Sequence, residues 1–308
     1  MILRIRWNDS SHGLCRRGAT RLIRCDRGLQ VNLLLIRGLG HSGTTILDLA
    51  LGAHPQITGL GEAIRILERP RPGEENRGPA RLRGELRHQR RCTCGQLASD
   101  CPVWGPVLEW LPANDERPIG DKLNHLVTVL DGQRPETDLH WAVDSYQADL
   151  QVPQLSWPSG EIRCLFLVRD VRSWVHSRSH GRDRPAADWR ALARWLRTNR
   201  QLERALGRSG RPVFVLGYEE LALAPKASLC RLCEWLGLEF DGAMLSPGPS
   251  SSSHILAGNR MRFDSERSAT IRYDGSWMAR GTAPASIAAA LPPIRGMNRR
   301  LVYGNGLL

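Results

Sequence analysis

The sequence predicts an α/β protein, a three-layer sandwich with a mostly parallel central sheet. Residues 31–37 form a largely apolar run, which is typical of a strand buried on both faces of a parallel sheet. A glycine-rich turn follows this run and leads into an amphipathic segment, as in a strand–loop–helix unit. Further apolar runs alternate with segments of helical periodicity, which favours helices on both faces of one sheet.

The other elements are predicted from local periodicity, in chain order. A helix begins at Thr44 and ends before Pro55, and a short strand follows it and ends before Glu62. Later strands are predicted at residues 140–144, 162–168 and 212–217. Later helices are predicted at 188–207, with Trp189, Leu192 and Trp195 among its core residues, and at 225–238, while the chain from 247 onward is predicted to be irregular.

Residues 1–29 are predicted to be a flexible basic tail, and residues 30–308 one domain with a basic insertion at about 65–104. The tail lacks the compact apolar region of a secretory signal. No apolar run reaches the length of about 18 residues that a membrane span needs. A cytoplasmic protein without membrane insertion is therefore expected.

The formal net charge is +12, from 43 basic and 31 acidic residues. This excess favours an anionic substrate or a polyanionic partner, although solvated surface arginines would give the same composition. Aromatic residues are not interleaved with the arginines, so no nucleic-acid partner is expected. The sequence does not indicate an oligomeric state.

The loop Gly38–Thr45, GLGHSGTT, has the spacing of a phosphate-binding P-loop, G-x-x-x-x-G-K-[ST], but Thr44 stands where that motif has lysine. Backbone N–H groups at a helix N-terminus, with the hydroxyls of Ser42, Thr44 and Thr45, can still bind an anion. Gly43 has no Cβ, so a ligand can approach closely. A loop that binds a phosphate-like group, though not as an ATPase does, is therefore predicted within a P-loop-like fold; a turn without a ligand is the alternative.

A second anion site is predicted where the strand at 162–168 ends. Arg169 follows that strand, and Ser177 lies eight residues later on the next predicted helix. A guanidinium and a hydroxyl at the carboxyl edge of a parallel sheet suit a second phosphate. A structural ion pair between Arg169 and Asp170 is the alternative.

These two segments resemble the signature boxes of sulfotransferases that use 3′-phosphoadenylyl sulfate (PAPS). Residues 38–55 resemble the bacterial box G-x-G-H-S-G-[ST]-T-x-L-D-x-L-L-G-x-H-P, and 169–177 resemble R-D-x-R-x-x-x-x-S. Fainter similarities continue in order to residue 306, including VDSYQ, YEELALAP and HILAGNRMRF. The resemblance implies that PAPS is the co-substrate and that no metal is required. It places the 5′-phosphosulfate at Gly40, His41, Ser42, Gly43, Thr44 and Thr45, the 3′-phosphate at Arg169 and Ser177, and further nucleotide contacts at Tyr218, Gly258 and Arg262.

The resemblance also suggests catalytic residues. Glu62 is expected to take the proton of the acceptor, and His41 to stabilise the leaving group; a solvated carboxylate and a turn-capping histidine are the alternatives. Where the family carries a lysine, this chain has Gln147. Arg37, or an arginine from 69–91, is the candidate replacement for that cation.

The acceptor is expected to be a hydroxyl or amine of a small molecule or glycan, and the basic segment 69–91 is a candidate for binding an anionic or sugar acceptor. Two other functions remain open. One is a P-loop nucleotide or small-molecule kinase with Asp144 as its magnesium ligand. The other is a non-catalytic module that binds polyanions.

The cysteines are expected to be reduced thiols, since no export signal is present. Cys92, Cys94 and Cys101, with His88 as a fourth ligand, are candidates for a zinc site. Their spacing is not that of a standard zinc knuckle, so the interpretation favoured is a protein without a metal. Cys230 and Cys233 are expected to lie on an apolar helix and to be part of the protein core.

Overall fold

The computed structural model describes residues 30–69, 86–134, 136–146, 155–179, 185–280 and 283–306. The predicted tail at 1–29 lies outside these ranges, and so do residues 70–85 of the predicted insertion and Gln147.

The described residues contain one sheet, whose strands match the predicted apolar runs closely. The strands are β1 (Asn32–Arg37), β2 (Ile57–Gly59), β3 (Trp141–Asp144), β4 (Ile162–Val168) and β5 (Val213–Gly217). Their order is β2-β3-β1-β4-β5, and every neighbouring pair is parallel. All of the strands therefore end at the same edge of the sheet, where α/β proteins bind their ligands.

Helices cover both faces of this sheet. They are α1 (Thr44–Gly52), α2 (Ala63–Leu67), α3 (Leu86–Gln89), α4 (Trp104–Asn114), α5 (Ile119–Gly132), α6 (Val171–Ser179), α7 (Pro185–Arg208), α8 (Tyr218–Leu223), α9 (Pro225–Leu236), α10 (Pro247–Ser250), α11 (Ser265–Ser268), α12 (Ser276–Arg280), α13 (Ala283–Ala290) and α14 (Pro292–Val302). Short 3₁₀ turns cover Gly242–Leu245 and Arg260–Phe263.

The alternation of side chains along β1 divides the core into two layers. Leu33 and Leu35 pack with α2, α4, α5, α6, α7, α13 and α14, whereas Leu34 and Ile36 pack with α1, α8 and α9. All four leucine and isoleucine side chains are fully buried. Burial on both faces explains why the strand reads as a continuous apolar run, and it confirms the predicted three-layer α/β architecture.

Two sequence predictions about helices are wrong. The chain beyond residue 247 is not irregular throughout, because α14 packs Ile294, Met297 and Leu301 against the core. Arginines between these residues hide their helical spacing in the sequence. On α7, Trp195 is fully buried but Trp189 is 50% exposed, because it lies outside the apolar face of that helix.

Within the described residues, none of the helices combines the length and the apolar character that crossing a lipid bilayer requires.

Candidate functional site

A cavity of about 1160 Å³ opens at the carboxyl edge of the sheet. Its walls come from the loop after β1, the start of α2, the residues after β4 and β5, and the chain from 258 to 276. Ten of the predicted site residues line it: Gly40, His41, Gly43, Thr44, Thr45, Glu62, Arg169, Ser177, Tyr218 and Gly258. One cavity of this size can hold an extended, doubly charged ligand together with a second molecule.

The loop after β1 is shaped by two glycines that cannot be replaced without a clash. A Cβ on Gly38 would lie 2.3 Å from the carbonyl oxygen of Leu167, and a Cβ on Gly43 would lie 2.4 Å from the ring of Tyr218. Gly43 also has φ of +91°, a conformation that side chains disfavour. His41 has φ of +73°, so its position in this loop is strained.

Helix α1 begins at this loop and presents its N-terminus to the cavity through Thr44, Thr45 and Ile46. No side chain caps the helix, and its first turn has no acidic residue. The first N–H groups of a helix have no partners inside the helix and carry the positive end of its dipole. This end of α1 is therefore suited to an anion.

Arg169 lies at the end of β4 and contacts the loop directly. Its Nη1 donates to the carbonyl oxygen of His41 at 3.1 Å, and its Nε donates to Ser173 Oγ at 2.6 Å. The guanidinium carbon lies 4.7 Å from the centre of the Tyr218 ring. The Arg169 side chain is 7% exposed, so these contacts fix the charge at the boundary between the loop and the cavity.

Asp274 also contacts Arg169, and this contact could not be predicted from the sequence. Its Oδ2 accepts a hydrogen bond from Arg169 Nη2 at 3.1 Å. Hydrogen bonds from the hydroxyl and backbone N–H of Ser276, together with Arg169, hold the pKa of Asp274 below its ordinary value despite partial burial. A carboxylate therefore lies beside the guanidinium that was expected to bind a phosphate.

The alternative ion pair between Arg169 and Asp170 is not formed in the structure. Asp170 instead accepts hydrogen bonds from Arg172, Asn298 and Tyr303. Burial alone would raise the pKa of Asp170, but the bonds from Arg172 and Asn298 hold it below its ordinary value. In the R-D-x-R segment, Arg169 lines the cavity, whereas Asp170 and Arg172 join α6 to α14.

Glu62 precedes α2 and lines the same cavity. Its Oε2 accepts a hydrogen bond from Arg65 Nη1 at 2.7 Å, and the two side chains are 22% and 32% exposed. Its backbone N–H donates to the carbonyl oxygen of Ala257 at 2.9 Å. The carboxylate is thus reachable from the cavity and is positioned by a cation that also lines it.

Three residues considered from the sequence do not line the cavity. Ser42 is buried in the loop, 1% exposed. Arg262 turns away, and its guanidinium donates to the carbonyl oxygens of Gly258, Asn259 and Leu256. Arg37 is buried beneath the sheet edge and pairs with Asp144 at 3.5 Å. Arg37 therefore does not supply the cation that is absent at residue 147.

Asp144, the magnesium ligand of the kinase alternative, is also withdrawn from the cavity. It is fully buried, and its carboxylate accepts hydrogen bonds from the backbone of Ile64 and Tyr146. Burial raises its pKa, even though Arg37 opposes that effect. A carboxylate in this position cannot reach a magnesium ion bound with a nucleotide in the cavity.

Much of the cavity wall was not predicted. The conspicuous segments HILAGNRMRFD and YDGSWM suggested a specific role, but not a place in the fold. They contribute to the cavity wall because the chain after α9 returns to the sheet edge, where Asp274 contacts Arg169 and the Tyr218 hydroxyl donates to the carbonyl oxygen of Arg272. The additional lining residues are Arg65, His176, Asn259, Met261, Asp264, Glu266, Arg267, Thr270, Arg272, Tyr273, Asp274 and Ser276.

Comparison with known proteins shows the fold. No protein-family model and no curated protein matches the sequence. Among solved structures, the sulfotransferase domain from the curacin biosynthetic pathway matches with a TM-score of 0.53 and 16% identity, over 91% of this chain and 99% of that domain. The sulfotransferase domain from the Synechococcus PCC 7002 olefin synthase gives a TM-score of 0.48 and 16% identity, over 91% and 98%. The chain therefore has a sulfotransferase-like α/β fold.

Proposed function

We propose that this protein is an enzyme that transfers a sulfuryl group from PAPS to a hydroxyl or amine of a small-molecule or glycan acceptor. One observation carries the proposal: a P-loop without its lysine and the Arg169–Ser177 pair line the same cavity. The two ends of a nucleotide phosphorylated at its 3′ and 5′ positions would require two such sites. The sulfotransferase-like fold supports the same function.

In this proposal the nucleotide lies between the loop and α6. The N–H groups of Gly43, Thr44 and Thr45 bind the phosphosulfate, and the hydroxyls of Thr44 and Thr45 add donors. Arg169 and Ser177 bind the 3′-phosphate. Asp274 then gives up its bond to Arg169, because a phosphate and a carboxylate cannot share one guanidinium edge without repulsion.

The acceptor approaches from the side of Glu62. The acceptor oxygen or nitrogen attacks sulfur, and Glu62 takes its proton. The bond from sulfur to the bridging oxygen breaks, and its electron pair leaves with adenosine 3′,5′-bisphosphate. His41, at the mouth of the loop, donates a hydrogen bond toward that oxygen as charge develops on it. Arg65 keeps the Glu62 carboxylate in position.

A kinase is disfavoured by two features of the site. Thr44 replaces the lysine that a P-loop kinase places on the transferred phosphate, and Asp144 is buried. A non-catalytic polyanion-binding module would bind through surface charge, with a steep dependence on salt. Neither a kinase nor a polyanion-binding module explains why the Glu62 carboxylate shares one cavity with the two proposed anion sites.

The test is calorimetric titration of adenosine 3′,5′-bisphosphate into the protein and into an Arg169→Ala variant. We expect micromolar affinity that does not require added magnesium, and a loss of at least about tenfold in the variant, roughly 1.4 kcal/mol. Arg300→Ala is the control, since Arg300 is exposed and pairs with Glu203 away from the cavity. Equal affinity in all three proteins would contradict the proposed site.

A further inference from the structure

Three cysteines and one histidine meet beside the cavity, outside the proposed site. Cys94 Sγ lies 3.7 Å from Cys101 Sγ. The Nδ1 atom of His254 lies 3.3 Å from Cys101 Sγ and 3.8 Å from Cys92 Sγ. All four ligand atoms lie within 4.8 Å of one another. None of these four residues lines the cavity.

These distances fit a tetrahedral metal site. Zinc binds thiolate sulfur at about 2.3 Å and histidine nitrogen at about 2.0–2.1 Å, so the edges of its coordination tetrahedron measure about 3.4–3.8 Å. A disulfide would need about 2.05 Å between two sulfurs, and the closest recorded sulfur pair of this cluster, Cys94 and Cys101, is 3.7 Å apart. Three thiols and one imidazole form a closed donor set for zinc.

The backbone also presents the sulfurs as a metal site requires. Arg91 and Leu97 form an antiparallel bridge, so the chain between them is a tight turn. Within that turn, the N–H of Gly95 donates to the carbonyl oxygen of Cys92 at 2.9 Å. Gly95 has φ of +89°, which a glycine tolerates. The turn brings Cys92 and Cys94 to one side, and Cys101 follows just before α4.

We propose that Cys92, Cys94, Cys101 and His254 bind one structural zinc ion. This differs from the sequence interpretation in two ways: the cluster holds a metal, and its fourth ligand is His254 rather than His88, which is exposed on α3. His254 was missed because it lies 153 residues beyond Cys101. The backbone N–H of Trp104 points to Cys101 Sγ at 3.5 Å, as N–H groups do toward metal-bound thiolates.

The zinc ion would join the turn at 91–97 to residues 253–258, the segment that leads into the cavity wall. Existing hydrogen bonds already join these two parts: Trp104 Nε1 donates to the carbonyl oxygen of His254, and Thr93 Oγ1 to that of Ser253. Three residues after His254, the carbonyl oxygen of Ala257 accepts from the N–H of Glu62, and Gly258 lines the cavity. The metal therefore fixes the wall next to Glu62. This role does not depend on the reaction catalysed.

The test is elemental analysis of the full chain, purified under reducing conditions and dialysed after exposure to zinc. We expect about one zinc ion per chain, and the same in the His88→Ala and Cys230→Ser control variants. His254→Ala should lose at least about tenfold in zinc affinity. His254→Cys should retain the metal with four thiolates. Cobalt added in place of zinc should give the visible bands of a tetrahedral thiolate site, altered in His254→Cys.

Circular dichroism shows whether a variant that has lost the metal is still folded. His254→Cys keeps four possible metal ligands, so retention of zinc by this variant tests the site without relying on a variant that fails to fold. The proposal is overturned if the folded wild-type protein holds no zinc. It is also overturned if His88→Ala loses the metal while His254→Ala keeps it. Peptide mapping that finds a Cys94–Cys101 disulfide in the reduced preparation would equally contradict it.

Discussion

Arg169 shares its guanidinium among the loop, Ser173 and Asp274, and Asp274 is the partner that a phosphate would replace. Asp274 is 47% exposed, whereas Arg169 is buried. The carboxylate can thus move into solvent while the guanidinium stays in place. Asp274 thus serves as an internal anion that pairs with Arg169.

Replacing Asp274 by asparagine should therefore strengthen the binding of adenosine 3′,5′-bisphosphate. An exposed ion pair contributes at most about 1 kcal/mol, so we expect a gain of about two- to fivefold by calorimetry. Glu266→Gln is the matched control, since Glu266 lines the same cavity and loses the same charge. An equal gain in both variants would assign the effect to general electrostatics and not to competition for Arg169.

The Glu62→Gln variant tests the proposed base. It keeps the shape of the side chain and removes its capacity to take a proton, so turnover should fall by about 10²- to 10⁴-fold. Affinity for adenosine 3′,5′-bisphosphate should stay unchanged, because that nucleotide carries neither the sulfuryl group nor the acceptor that Glu62 is proposed to face. The readout is release of that nucleotide from PAPS with the best acceptor from a screen of phenols, alcohols and sugars. Undiminished release would exclude Glu62 as the base.

At the scale of elements, the loop and α1 form the proposed phosphosulfate site, and its shape depends on Gly43. An alanine there would place a Cβ against the Tyr218 ring and adopt an unfavourable φ. Gly43→Ala should lower stability by about 1–3 kcal/mol and weaken nucleotide binding at least tenfold.

Gly296→Ala is the matched control for that substitution. Gly296 lies inside α14, and an added Cβ there meets nothing within 4 Å. This variant should gain about 0.5–1 kcal/mol of stability and bind the nucleotide normally. Thermal unfolding and calorimetry measure both effects. A Gly43→Ala protein that binds as well as Gly296→Ala would show that the loop tolerates a different shape.

Elements with a continuous apolar run or a clear helical period could be predicted from the sequence, whereas α14 could not. β4 was predicted at 162–168 and is found there, because its residues 164–168 are buried and form a continuous apolar run. α14 was missed because exposed arginines separate its buried apolar residues along the sequence. Within the site, Arg169 and Ser177 follow from their positions after β4. Asp274 and His254 do not, since only the folded chain brings them to partners far away in sequence.

At the scale of the whole molecule, one buried carboxylate links stability to pH. Asp48 lies on α1, is fully buried, and accepts a hydrogen bond from Ser145 Oγ at 2.6 Å. Burial raises the pKa of Asp48 from 3.8 to about 7. The folded protein therefore keeps a proton that the unfolded chain releases above about pH 4. The stability from this group is present below that pH and is lost as the pH rises toward 7.

Asp48→Asn should remove this penalty while keeping the bond to Ser145. Its gain in stability over the wild type should grow between pH 4 and 7 and then level off, at about 2–4 kcal/mol. Thermal unfolding across this pH range measures the gain. Glu234→Gln, an exposed site on α9, should show no such trend. A gain that is constant with pH would mean that Asp48 does not titrate as its burial implies.

The convergence of every strand on one sheet edge has a consequence for how such proteins diverge. The phosphate-binding groups of the proposed site come from the loop after β1 and from the chain after β4, whereas Glu62 and Arg65 come from the start of α2. In the proposed enzyme, substitutions in α2 would therefore alter which acceptor is admitted and leave the groups that bind the phosphates unchanged. Acceptor choice could then diverge between related proteins while nucleotide binding is retained.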